Sequence, residues 1–123
     1  NTGLVTVTGV AAGTSSRATI KTVRTGYADD TAKISATSLN AALTPTFGTP
    51  TRTADGYTVQ ISNYNSAYTW AGTATASGVV AISGTGLVTV TGVAADTSST
   101  ATITTTRTGY VGGTADVTAK SLA

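Results

Sequence analysis

From Ala41 onward, apolar and polar residues alternate with a period of two, and the alternation is broken at short intervals by Gly, Asn, Asp and Ser. That is the pattern of half-buried strands joined by tight turns. Its cleanest stretch follows the Ala54-Asp55-Gly56 turn, where Tyr57, Val59 and Ile61 share one face while Thr58, Gln60 and Ser62 take the other. A proline-flanked edge strand near Thr46 to Thr53 comes before it, since neither Pro45 nor Pro50 can donate to a ladder, and Phe47 is its anchor. After the loop Asn63-Tyr64-Asn65-Ser66, a third strand carries Tyr68 and Trp70 on one face, and Ser77-Gly78 introduces a fourth with Val80 and Ile82 inward. Ser83-Gly84-Thr85-Gly86 turns the chain into a fifth strand, Leu87 to Thr91. The sixth places Ala101 and Ile103 on one face, and the seventh, near Thr114 to Lys120, follows a hairpin through Gly109-Tyr110. The expected core is Phe47, Tyr57, Val59, Ile61, Trp70, Ile82, Val90 and Ile103.

The last three of these strands occur twice. Thr2 to Asn40 aligns with Thr85 to Ala123 at a separation of 83 residues, with twelve differences over 39 positions. A period this long suits one small domain per repeat rather than a short solenoid rung. The two copies act as natural variants of one structure. Ala18 and Ile20 are unchanged at Ala101 and Ile103, whereas Lys21 and Val23 become Thr104 and Thr106, as expected if the first face is core and the second meets water. About 40 residues bury too little apolar surface to offset roughly 1–2 kcal/mol of backbone entropy per residue. The expected division is therefore a partial repeat over residues 1–40, the last three strands of a preceding domain, and a complete domain over residues 41–123. The partial repeat, exposing edges and an apolar face, is expected to seek complementation from neighbouring repeats or from other copies of the chain, through strand exchange or head-to-tail assembly.

Composition supports an all-β reading: Thr makes up about a quarter of the chain, while Glu, Cys, His and Met are absent. The net charge of +2 comes from seven basic and five acidic residues, with Arg17, Lys21, Arg24, Lys33, Arg52, Arg107 and Lys120 lying apart. No phosphate-binding patch follows, so no nucleic-acid partner is expected, and no apolar run suggests membrane insertion. Without His, Cys or Glu, and with the Asp residues mostly in turns, no general base emerges, and neither catalysis nor a cofactor is expected. Asp29-Asp30 and the Asn63 to Asn65 loop with Asp55 offer oxygen atoms, but the second copy has Gly112-Gly113 in place of the acidic pair. Turn chemistry accounts for the others, and no metal is assigned. Lys33 aligns with Asp116, and Gln60 sits on the wet face. The rank Thr102, Thr104, Thr106 and Thr108 has the spacing of a water-ordering surface, though Lys21 and Val23 interrupt it in the first copy. The twice-present Arg24-Thr25-Gly26-Tyr27 and Arg107-Thr108-Gly109-Tyr110 make Arg24, Tyr27, Arg107 and Tyr110 the candidate contact surface, unless each Tyr packs over its own hairpin.

The stretch SGVVAISGTGLVTVTGVAADTSSTATI, Ser77 to Ile103, resembles the tandem bacterial immunoglobulin-like repeats of large cell-surface and adhesin-type proteins. There an extended strand leads to a G-[LI]-V-T-[VG] segment, a small-residue turn and an A-T-I-T strand. The resemblance implies a seven-stranded antiparallel Greek-key sandwich, exported and arrayed on a cell surface or fibre, with Trp70 placed like the core tryptophan of such domains. The function expected is that of a structural repeat, a stalk, spacer or self-assembling extracellular fibre subunit. The alternative is an adhesive module for a surface or host ligand, with ice binding by the Thr ranks ranked lower.

Overall fold

The structure, a computed structural model, describes residues 2–123 and contains nine strands and no helix among them. The chain divides into two compact units, one ending at Ala41 and the other covering Ala42–Ala123.

The second unit contains β3 (Thr51–Thr53), β4 (Gly56–Gln60), β5 (Thr69–Ala74), β6 (Val79–Ile82), β7 (Leu87–Thr91), β8 (Ser98–Thr106) and β9 (Gly113–Lys120). They form a four-stranded sheet in the order β3-β4-β7-β6 and a three-stranded sheet in the order β5-β8-β9, with every pairing antiparallel. Register explains the core. Tyr57 lies opposite Val90, which lies opposite Val80, and Val59, Val88 and Ile82 form the next row. On the other sheet the rows are Ala74-Ala101-Val117 and Gly72-Ile103-Ala115. The apolar faces of these rows pack against each other as a sandwich, so that Tyr57, Val59, Ile61, Val88, Val90, Val93, Ala101 and Ile103 are buried. Phe47, Trp70 and Ile82 pack against that cluster but are only partly buried.

Two corrections concern this unit. The edge strand expected near Thr46 to Thr53 is split into an isolated bridge, Phe47 to Ile61, and the short β3, because Pro45 and Pro50 each remove a ladder donor. Trp70, expected in the core, packs against it but is only partly buried. Its indole N–H donates to the Asn65 carbonyl at 2.9 Å and its ring tilts against Tyr64, centroids 5.3 Å apart. Tyr68 precedes β5 and does not share its inner face.

The central aromatic is Tyr57. It is fully buried, and its phenol reaches across the sandwich to the carbonyls of Ser99 on β8 and Val117 on β9, at 3.0 and 3.1 Å. A buried phenol is tolerated only when its hydroxyl is paired, and the facing sheet supplies the partners.

The first unit contains β1 (Ser15–Thr22) and β2 (Asp30–Thr37), paired antiparallel from Ser15 opposite Thr37 to Thr22 opposite Asp30. Three strands are expected there and only two form. Leu4 to Thr8, identical in sequence to β7, has no ladder. In the second unit β7 is held between β4 and β6, and residues 2–41 contain no counterpart of either. Strand formation at this sequence depends on neighbours that supply the hydrogen bonds.

Candidate functional site

Three surfaces carry the residues singled out by the sequence. The first is the outer face of the β5-β8-β9 sheet. Thr69 lies opposite Thr106, Thr104 lies between Ala71 and Thr114, and Thr102 lies between Thr73 and Asp116. Thr100 faces Thr118, their hydroxyls 2.8 Å apart. Neighbouring strands are about 4.8 Å apart and alternate residues about 6.7 Å apart, so the face is a near-rectangular field of methyl and hydroxyl groups. Asp116 and Lys120 are its charged members, and Lys120 pairs with Asp96 at 2.8 Å. Of the expected rank, Thr102, Thr104 and Thr106 lie on β8, while Thr108 lies in the turn beyond it. The corresponding face of β1 and β2 carries Arg17, Lys21 and Lys33 among its threonines and serines, so the two copies present different chemistry outward.

The second surface is the hairpin tip between β8 and β9. Arg107 places its guanidinium 4.5 Å from the Tyr110 ring centroid and 5.4 Å from that of Tyr68, and the two rings meet edge to face at 5.6 Å. The Tyr110 amide donates to the Arg107 carbonyl at 3.0 Å, and Tyr27 and Arg24 repeat the same turn at 3.0 Å. Arg24 also stacks on Tyr27 at 4.5 Å, but that ring remains 63 % exposed, because the Tyr68 that flanks Arg107 has no counterpart in residues 2–41. In both copies arginine and tyrosine are occupied with each other, a cation–π contact that orders the tip. Both tips leave the outer edges of these side chains in water.

The third surface is the inner face of β1 and β2, where Ser16 lies opposite Ala36, Ala18 opposite Ile34 and Ile20 opposite Ala32. Ser16, Ala18, Ile34 and Ala36 of this face, with Val5 and Val7, line an open groove of about 310 Å³.

The oxygen-bearing side chains are used locally. Asp29 pairs with Lys21 at 3.3 Å, and Asp30 accepts the Thr31 amide at 2.9 Å. Asn63 accepts from the Thr46 amide and donates to the Thr44 carbonyl, while Asn65 accepts from the Ala67 amide. The Gln60 amide nitrogen donates to the carbonyls of Ile61 and Thr85 at 3.1 and 2.9 Å. Lys33 sits mid-strand on β2 opposite Thr19. Lys120 holds the Asp96 carboxyl below the usual carboxylate range, through its hydrogen bond and then its charge. Burial pushes the Tyr57 phenol up.

The sequence reading missed Ser38 and Ser121. The Ser121 hydroxyl donates to the Ala94 carbonyl at 2.6 Å and accepts the Thr97 amide at 3.1 Å; Ser38 does the same with Ala11 and Thr14 at 2.6 and 3.1 Å. Each serine pins the end of the last strand to the turn before the preceding one. The available signal was their retention in both copies beside Leu39 and Leu122. Arg52 was also passed over as a scattered charge; its guanidinium donates to the carbonyls of Lys120 and Ser121 at 2.7 and 2.6 Å, fastening β3 to the end of β9.

In comparisons with known proteins, no family model, no curated protein and no solved structure matches the chain.

Proposed function

We propose that the chain is a structural repeat of an exported bacterial surface protein, a stalk, spacer or extracellular fibre subunit built from immunoglobulin-like Greek-key sandwiches in tandem. The sheet orders β3-β4-β7-β6 and β5-β8-β9 support that fold reading, being the arrangement of the seven strands of constant-type immunoglobulin domains. The observation that carries the function is the contrast between the two copies. Inward residues such as Ala18/Ala101 and Ile20/Ile103 are retained, while the outward face changes from Arg17, Lys21 and Lys33 to Thr100, Thr104 and Asp116. A stalk needs its fold and length preserved, whereas a ligand-binding array needs its outward chemistry preserved. The Arg-Tyr tips, satisfied within themselves, fit a joint between modules better than a ligand pocket.

The test is small-angle scattering on chains of one to four periods. The maximum dimension should grow linearly with repeat number; a dimension that saturates as the chain folds back on itself would overturn the stalk. A second reading, an adhesive or ice-binding face, is favoured by the threonine field alone. Thermal hysteresis, or saturable binding on a glycan and matrix-protein array abolished by Thr102→Lys, would favour it.

A further inference from the structure

We propose that the inner face of residues 2–41 is an acceptor for a second segment of the kind formed by residues 43–86, and that the chain's own copy of that segment cannot fill it. The proposal rests on the tandem-sandwich reading above and names the partner of the orphan unit.

The two copies supply the argument. In the second unit Val88 and Val90 are buried beside Val59 and Tyr57 in their own sheet, and Ala101 and Ile103 are buried on the sheet that faces them. Their counterparts Val5, Val7 and Ile20 are 51, 52 and 40 % exposed, and Ile34, the counterpart of Val117, is 63 % exposed. The residues are the same or nearly so, and the difference is the absent β3 to β6. The acceptor is already half built. β1 and β2 are fully laddered, Ser38 reproduces the Ser121 contacts, and Gly3, Gly9 and Gly26 hold the positive φ of Gly86, Gly92 and Gly109. What fits is therefore a polypeptide with two inward rows like Tyr57-Val80 and Val59-Ile82 and two free strand edges to receive Leu4 to Thr8 between them, as β7 lies between β4 and β6.

Connectivity excludes the chain's own segment. In the second unit Leu43 lies beside the start of β9, its carbonyl accepting from Thr105 at 2.7 Å, while Thr53 lies at the far end, its carbonyl accepting the Leu122 amide at 2.9 Å. The strand from Gly113 to Leu122 separates these points by about 30 Å. In the first unit the matching end is Leu39, and the four residues from there to Leu43 span at most about 14 Å. Residues 43–53 cannot run back along β2 to enter at the correct end. The donor must be a different segment.

The experiment joins a duplicate of residues 42–83 ahead of Asn1, in phase with the repeat, and measures amide exchange. Protection at Leu4 to Thr8 should rise at least about a hundredfold, towards that of Leu87 to Thr91 in the same molecule. Ile34→Asp in the fused chain should abolish the gain while Leu87 to Thr91 stays protected. In the unfused chain, fluorescence of an apolar dye should fall with Ile34→Asp. Unchanged protection at Leu4 to Thr8 beside a protected β7 would overturn the acceptor, as would a gain that survives Ile34→Asp or a dye signal indifferent to it. Scattering tests the array separately, so loss of the acceptor and loss of the stalk are distinguishable.

Discussion

Replacing Tyr57 with phenylalanine removes one oxygen from the middle of the sandwich and leaves the ring in place. The phenol is fully buried on β4 and shared between the carbonyls of Ser99 and Val117 on the opposite sheet, so no solvent reaches the gap left behind. An ordinary intramolecular hydrogen bond contributes about 0.5–1.5 kcal/mol net, but stranding a buried acceptor costs about 1–3 kcal/mol. Because two acceptors lose their shared donor, Tyr57→Phe should destabilise the second unit by about 2 kcal/mol. Urea unfolding followed through Trp70, the chain's one tryptophan and a partly buried neighbour of the core, reads this unit directly. The midpoint should fall with the slope unchanged, since the surface exposed on unfolding is the same. The same variant has a signature in alkali. Burial raises the phenol's pKa in the folded state, so its contribution is fully present below about pH 10, the value in the unfolded chain, and is lost as the pH climbs through the folded value. The gap between wild type and Tyr57→Phe should therefore shrink above pH 10. A variant within about 0.5 kcal/mol of wild type at neutral pH, the range of a surface change, would refute the cross-sheet anchor. A gap constant through strong alkali would refute its ionisation.

Three further outcomes are expected. Ser121→Ala removes a buried hydroxyl that partners the part-buried Thr97 amide and the Ala94 carbonyl and should cost about 1 kcal/mol by denaturant titration, whereas the matching Ser38→Ala should show as faster amide exchange in β1 and β2 with no effect on Trp70 unfolding. Gly86→Ala meets both a φ of +85° and the Tyr64 side chain 2.6 Å from the new Cβ and should lower the melting temperature by several degrees; Gly84→Ala, which meets nothing within 4 Å, should not. For Asp96, Lys120→Gln should return the carboxyl titration, followed by NMR, to the usual range. The lowered folded pKa means its stabilisation is present above the usual carboxylate range and fades as pH falls through the folded value. A titration unmoved by the substitution would dismiss the pair.

How much of this was legible in the sequence depends on what kind of interaction places each residue. Tyr57, Val59 and Ile61, and Val88 and Val90, were readable because period-two alternation maps directly onto the two faces of a strand. Alternation assigns Trp70 to the inner face of its strand but does not tell how deep along the strand it lies, and it is only partly buried against the core. The centre went to Tyr57, whose hydroxyl finds carbonyls on the facing sheet, while the indole N–H finds Asn65. Ser121 and Arg52 were illegible for a related reason: both bind backbone carbonyls from segments distant in sequence, and no local pattern announces such partners. The Arg-Tyr tips were visible as a repeated motif, but the second ring beside Arg107, Tyr68, arrives from another loop and no local pattern announces it.

The repeat separates what is encoded locally from what is not. Thr2 to Ala12 and Thr85 to Ala95 are the same eleven residues. In both copies the flanking glycines hold the left-handed conformation, at 69° and 80° for Gly3 and Gly9 and at 85° and 80° for Gly86 and Gly92. Beyond this segment, Gly13 at 63° is matched by Asp96 at 56°, so the turn survives even where a side chain must accept the strain. Turn geometry is thus carried by the segment itself. The strand between the glycines is not, for Leu87 to Thr91 pairs on both edges while Leu4 to Thr8 pairs on neither. Closure of the repeated half therefore depends on the β3 to β6 half that supplies its edges, while its turns are preset to receive that half.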